Sequence, residues 1–131
     1  MFYNATGFNQ PLNGWDVGRV TSMSRMFYKA ASFNRSVNAW DVGRVRDMFQ
    51  MFSGEWRTPT SFNKPLNAWD VGQVTSIDYM FRYARAFDQP LDAWNTSQLR
   101  YMWGVFSDGL PSSIGRAVLF DADRAPAPVG A

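Results

Sequence analysis

The chain has 131 residues, a formal net charge of +2, 46% hydrophobic and 17% aromatic side chains, and neither cysteine nor histidine. That length can bury the core of one domain, and the apolar content excludes a disordered chain. The missing residue types exclude disulfides, thiolate nucleophiles, Cys/His zinc sites and imidazole bases, and the near-neutral charge gives no basic stripe of the kind that tracks nucleic acid.

Along the chain, one 25-residue cassette recurs. Its first copy reads Phe8-Asn9-Gln10-Pro11-Leu12-Asn13-Gly14-Trp15-Asp16-Val17-Gly18-Arg19-Val20-Thr21-Ser22-Met23, and it returns at Phe33, Phe62 and Phe87. Trp15, Trp40, Trp69 and Trp94 are separated by 25, 29 and 25 residues. Repetition at such a period signals units that bury their apolar faces only against one another. Met1-Phe2 aligns with Met26-Phe27, Met51-Phe52 and Met80-Phe81, in mid-cassette, so a segment of a longer array is expected.

Within the cassette, Leu12, Trp15 and Val17 follow the L-x-x-L-x-L spacing of a leucine-rich-repeat strand, with Trp and Val on one face. Gly18, Gly43 and Gly72 then mark a turn that needs a left-handed residue or a close approach. Pro11, Pro65 and Pro90 stiffen entry into the strand. Met23, Met26, Phe27 and Ala30 fall at i, i+3, i+4 and i+7, a spacing that predicts a short helix. Met48, Ile77 and Met102 open the later stripes, and Ser22, Asp47 and Ser76 stand where N-caps belong. A competing assignment places the strand at Val20-Thr21-Ser22-Met23 with a short 3₁₀ piece behind it, although that segment does not alternate. A propeller is excluded, because blades of roughly 40–45 residues do not fit the cassette.

The third unit carries four extra residues within Ser53-Gly54-Glu55-Trp56-Arg57-Thr58-Pro59-Thr60-Ser61, an insertion expected to emerge as a loop on one face. Beyond Phe106 the cassette fades. The expected organisation is an α/β repeat, a right-handed leucine-rich-repeat-like solenoid of short parallel strands and short helices in 4–5 turns over residues 1–106. A capping segment over 107–120 and a flexible tail over 121–131 complete it.

The run Met-Phe, then Phe-Asn-x-Pro-Leu-Asn-x-Trp-Asp-Val-x-x-Val-Thr-Ser-Met, resembles the BspA-like leucine-rich-repeat surface proteins, whose 25-residue variety occurs in mycoplasmal surface lipoproteins. The resemblance covers residues 1–106. It implies a right-handed leucine-rich solenoid displayed at the cell surface or outside cells, used for adhesion or protein binding, with no catalytic residues. A leader, a lipidation cysteine and an N-terminal cap are not read in this chain, so the extracellular or surface location is carried by the resemblance alone.

Each candidate site has a structural and a functional reading. The tryptophans, with Phe8, Phe33, Phe62, Phe87, Met23, Met48, Ile77 and Met102, form the expected repeat core; a solvent-facing tryptophan row would instead stack sugars. Asp16, Asp41, Asp70 and Asn95 form a column that accepts backbone N–H groups at the glycine turn, pairs with Arg19 and Arg44, or holds calcium. Asn9, Asn34, Asn63 and Asp88 form a second column suited to loop backbone groups. Asn4, Asn34 and Asn95 match the glycosylation acceptor triplet, a short motif.

Trp56 and Arg57 occupy the insertion and are either binding contacts or a plug over the core. Tyr28, Arg46, Tyr83 and Arg100, with Arg25, Lys29, Gln50, Arg82 and Arg85, are expected to point outward, as a partner surface or a solvated face. No cofactor, metal site or membrane insertion is expected, since no apolar run approaches the ~20 residues of a span, and nothing places a nucleophile beside a base. The resulting expectation is a non-enzymatic scaffold that binds a protein or glycan surface partner. The alternative is a subunit that self-associates end to end into a filament or surface layer.

Overall fold

Residues 23–30 form no helix. In the computed structural model, which describes residues 2–108, this segment divides its backbone hydrogen bonds between two directions. The N–H groups of Met26, Tyr28 and Ala30 reach back three residues, to the carbonyls of Met23, Arg25 and Phe27 at 3.0–3.1 Å. Those of Met23, Arg25, Phe27 and Lys29 leave the unit altogether and reach Asp47, Phe49, Met51 and Ser53 in the next one at 2.8–2.9 Å. The segment is therefore a run of overlapping β-turns whose alternate donors bind the neighbouring unit. A helix would keep those donors for itself, and an eight-residue helix is marginal because nucleation is costly.

This arrangement demands left-handed backbone at recurring third positions of the turns. Arg25 (φ 57°), Lys29 (φ 59°), Gln50 (φ 53°), Tyr79 (φ 55°) and Tyr83 (φ 58°) all take it, and Gly104 (φ 62°) takes it at the position equivalent to Tyr79. Left-handed backbone costs roughly 1–2 kcal/mol at a side-chain-bearing residue. The bonds between units and the burial beneath them offset that cost. Met23, Met26, Phe27 and Ala30 are all buried, so the apolar stripe has the expected face in a different conformation.

The expected strand fails in the same way. The N–H groups of Trp15 and Val20 fold back to the Leu12 and Val17 carbonyls at 3.0 Å, two further turns instead of an extended segment. Parallel pairing survives only as isolated bridges, Ser22 to Asp47, Asp47 to Ser76 and Ser76 to Tyr101, which fall in the competing Val20–Met23 register. The expected α/β solenoid of short helices and strands is thus corrected: among the described residues there is no helix, and pairing is confined to single bridges. Ser22, Asp47 and Ser76 do cap, but they cap turns, with side-chain oxygens 3.3, 2.9 and 3.5 Å from the N–H two residues on.

What replaces regular structure is registered stacking. Phe2, Phe27, Phe52, Phe81 and Phe106 form one column with ring centroids 5.5, 5.5, 5.7 and 5.6 Å apart and planes within 7°. Phe8, Phe33, Phe62 and Phe87 form a second at 5.8, 5.9 and 6.1 Å. The columns touch inside each unit at 4.1–4.2 Å. Such pairs contribute about 0.5–1.5 kcal/mol each beyond their burial.

Trp40, Trp69 and Trp94 are buried, and their indole N–H groups donate to the Leu12, Val37 and Leu66 carbonyls of the preceding unit at 2.9, 2.8 and 2.9 Å. Trp15 has no such neighbour among the described residues and is 42% exposed, so its expected place in the core is corrected. Phe8, in the same unit, is only partly buried.

Side chains carry part of the stack. The Oδ1 atoms of Asn9, Asn34 and Asn63 each accept the N–H of the equivalent residue one unit on, Asn34, Asn63 and Asp88, at 2.9 Å. Asp16, Asp41, Asp70 and Asn95 each accept the N–H two residues ahead at 3.0–3.1 Å. The glycine turn is a close approach: a Cβ on Gly43 would stand 3.1 Å from Asp41 Oδ1, and its φ is not left-handed. The 107–120 cap and 121–131 tail lie outside the described residues, apart from Ser107 and Asp108. No helix among the described residues is long and apolar enough to cross a membrane.

Candidate functional site

The insertion closes on itself. Glu55 and Thr58 exchange backbone N–H···O bonds at 3.1 and 3.0 Å, an antiparallel bridge that leaves Trp56 and Arg57 at the tip. Four added residues would ordinarily orphan the Phe52 carbonyl, whose counterparts at Phe27 and Phe81 accept the Ala30 and Ala84 N–H groups. Here the buried Thr60 hydroxyl donates to it at 3.0 Å, and the Gly54 N–H still reaches Arg82 O in the next unit at 2.7 Å. Only glycine fits at position 54, because a Cβ would overlap the Thr58 carbonyl oxygen. The hairpin is consequently rooted in the core, and its tip projects.

Glu55 ties that tip to the neighbouring unit. Its carboxylate accepts the Tyr28 hydroxyl at 2.5 Å and pairs with Lys29 Nζ at 3.4 Å. The Tyr28 hydrogen bond and the Lys29 contact hold the Glu55 carboxyl below its usual range. Burial, reinforced by the Glu55 carboxylate, pushes the Tyr28 phenol up to about 12. Both shifts say that the charged acid and the neutral phenol are the stable pair.

Trp56 is the most exposed large hydrophobic side chain among the described residues, at 67%. Arg85 lies over its ring at 5.9 Å and over Tyr83 at 5.8 Å. Tyr28, Gln50, Gly54, Glu55, Trp56, Arg82 and Tyr83 together line a cleft of about 280 Å³. Of the sequence candidates, Trp56, Tyr28, Gln50, Arg82 and Tyr83 are brought to this cleft, and the plug reading of Trp56 does not hold. Arg57 sits exposed on the hairpin. Arg46 lies elsewhere, in a second cleft of about 450 Å³ with Phe49, Thr75 and Tyr101, and Arg100 joins that column through its N–H to Thr75 O at 2.8 Å.

Sequence reasoning did not single out Glu55, which anchors the hairpin, or Tyr79, which stacks on Arg82. The signal for Glu55 was its place inside the only break in the period. Tyr79 could be found only once its left-handed turn was known.

The aspartate column is otherwise occupied, each first oxygen taken by its own turn, and neither Arg19 nor Arg44 forms a salt bridge among the described residues. No group of three or more potential ligands among those residues could hold a metal ion. The Asn34 and Asn95 amide oxygens serve the backbone at Asn63 and Ser97.

The class of protein is thus a registered stack of 25-residue repeats built from turns, carrying one hairpin that breaks the period. The chain belongs to the family described as "Mycoplasma protein of unknown function, DUF285", whose model matches residues 1–113. No curated protein and no solved structure matches it.

Proposed function

We propose that the protein is a non-enzymatic scaffold that engages a protein or glycan partner at a cell surface through the wall around Trp56. One observation carries the reading: an indole 67% exposed is mounted on a hairpin that is itself tied down by Glu55 and rooted by Thr60. A solvated loop has no need of such anchoring, whereas a contact residue gains from being held before its partner arrives. Tryptophan, tyrosine and arginine, the residues around this cleft, are those enriched at binding hot spots. The resemblance to BspA-like leucine-rich-repeat surface proteins supports the adhesive role and the surface location.

The test is binding of labelled protein to intact cells, with Trp56→Ala beside the unaltered chain. A loss of about tenfold or more is expected. Unchanged binding would remove this surface from consideration. A screen of ester, peptide and glycoside substrates is expected to show no turnover.

End-to-end self-association is the second reading, favoured by the face at the first described unit. There Trp15, Val17, Val20, Met23 and Met26 line a cleft of about 370 Å³. Light scattering and negative-stain imaging over a concentration series distinguish the two. Rods that Phe8→Asp disperses would establish assembly; monomers throughout would leave the Trp56 wall as the binding surface.

A further inference from the structure

Arg82 is positioned before anything binds. Its guanidinium carbon lies 5.2 Å from the Tyr79 ring centroid and 5.3 Å from that of Tyr83, and its Nε contacts Asp108 at 3.3 Å. Arg85 is stacked on Trp56 and Tyr83 and makes no salt bridge among the described residues. The one carboxylate lining the cleft, Glu55, is already engaged by Lys29 and Tyr28. Within the lining Arg82 is thus matched by Asp108, and the uncompensated positive charge beside the aromatic faces is that of Arg85, which stacks on two lining rings, Trp56 and Tyr83.

Its volume, about 280 Å³, lies just below the ~300–1,000 Å³ of pockets for drug-sized ligands. That leaves room for one small ring. A peptide strand would need an unpaired backbone edge, and a peptide helix an apolar trough. Neither is offered. The Gly54 N–H is bonded to Arg82 O, Glu55 and Thr58 satisfy each other, and Tyr28, Gln50, Glu55 and Arg82 make the lining polar.

We infer that this cleft binds a carboxylated pyranose, the acidic sugar residue of a glycan. The C–H face of the ring lies against the Trp56 indole, and the carboxylate takes N–H groups of the Arg82 and Arg85 guanidinium forks, which suit a planar anion. Gln50 and the free lone pairs of Glu55 meet the ring hydroxyls. Positioning by Tyr79, Tyr83 and Asp108 lowers the entropy lost on binding. The inference rests on the reading of the Trp56 wall as the binding surface, and it narrows the partner to an acidic glycan.

Calorimetric titration of the full chain with glucuronic acid, N-acetylneuraminic acid, glucose and an oligoglutamate peptide tests it. At least one carboxylated sugar is expected to bind about tenfold or more tighter than glucose, with a similar loss in Trp56→Ala and in Arg85→Gln. Both substitutions are at exposed positions, so an unchanged Tm is expected to certify the fold.

Equal affinity for glucose, or no affinity for either acid, overturns the inference. So does tighter, Trp56-dependent binding of the peptide, which would make the site a protein contact. If the sugars fail while Trp56→Ala still abolishes cell binding, the acidic-sugar assignment falls and the binding surface stands. If Trp56→Ala affects neither, both fall.

Discussion

The repeated core and the insertion solve the same geometric problem in opposite ways. Between Phe27 and Phe33, and again between Phe81 and Phe87, the chain returns to the aromatic column by the short route, with rings 4.2 and 4.1 Å apart. Between Phe52 and Phe62 it takes four more residues and still closes the same contact at 4.2 Å. The core tolerates no change of register, so the added length is expelled as a hairpin. In the stack Phe27, Phe33, Phe52, Phe62, Phe81 and Phe87 are buried; at the hairpin the chain is free to display an indole.

Breaking the stack should have the largest effect. Phe52 contacts Phe27, Phe62, Trp69 and Phe81, so Phe52→Ala is expected to cost about 3–5 kcal/mol in denaturant unfolding. A value near zero would mean that the columns are not what holds the units together. The inner and outer tryptophans sharpen the point. Trp69→Phe removes one of the two hydrogen bonds to the buried Val37 carbonyl, which keeps the Trp40 N–H, and should cost about 0.5–1.5 kcal/mol. Trp15→Phe, at an exposed indole, should stay within about 0.5 kcal/mol. Equal costs would refute the indole-to-carbonyl bond as a stacking element.

The hairpin is more local. Gly54→Ala forces a methyl group onto the Thr58 carbonyl and should cost about 1–3 kcal/mol. Faster amide exchange is expected at Glu55 and Thr58 before any change appears in the phenylalanine columns.

The Glu55 clamp has a pH signature. The folded-state pKa of Glu55 is depressed, so its stabilisation is complete above the unfolded carboxylate pKa and is lost as pH falls through the folded value. Tyr28 has a raised folded pKa, so its contribution is full below about 10 and is lost as pH rises through about 12. Tyrosinate absorbance should show one of the five tyrosines titrating near 12, and Glu55→Gln should bring that midpoint down. A midpoint unmoved by Glu55→Gln would leave burial as its whole cause. The smallest effect on stability belongs to Trp56→Ala, within about 0.5 kcal/mol by thermal unfolding, because the indole projects from the tip.

Spacing alone predicted the units, their register and most of the buried set. Position in a period is a property of the sequence, and stacking units must bury the same positions each time. The spacing of Met23, Met26, Phe27 and Ala30 predicts an inward stripe, and all four are buried. Their conformation was not legible, since i, i+3, i+4 and i+7 is also the spacing at which successive turns point corners inward. What separates the two is the destination of Arg25 and Lys29 N–H, which lies in the next unit.

The candidate site was half legible. Trp56 and Arg57 stood out because they break the period, and Tyr28 and Tyr83 because the pattern left them outside. Glu55 as anchor, and Arg82 and Arg85 as stacked cations, became visible only with their partners in place.

By itself, the sequence determined that this protein is a stack of like units with one interruption, because periodic burial can be read from periodic residues. Whether each unit would be helix and strand or a chain of turns was decided in three dimensions. There, neighbouring units supply the hydrogen-bond partners that a lone unit lacks, and the left-handed residues become affordable only once those partners exist. The same holds for the cleft: its residues come from three different units, and only stacking brings them within reach of one ligand.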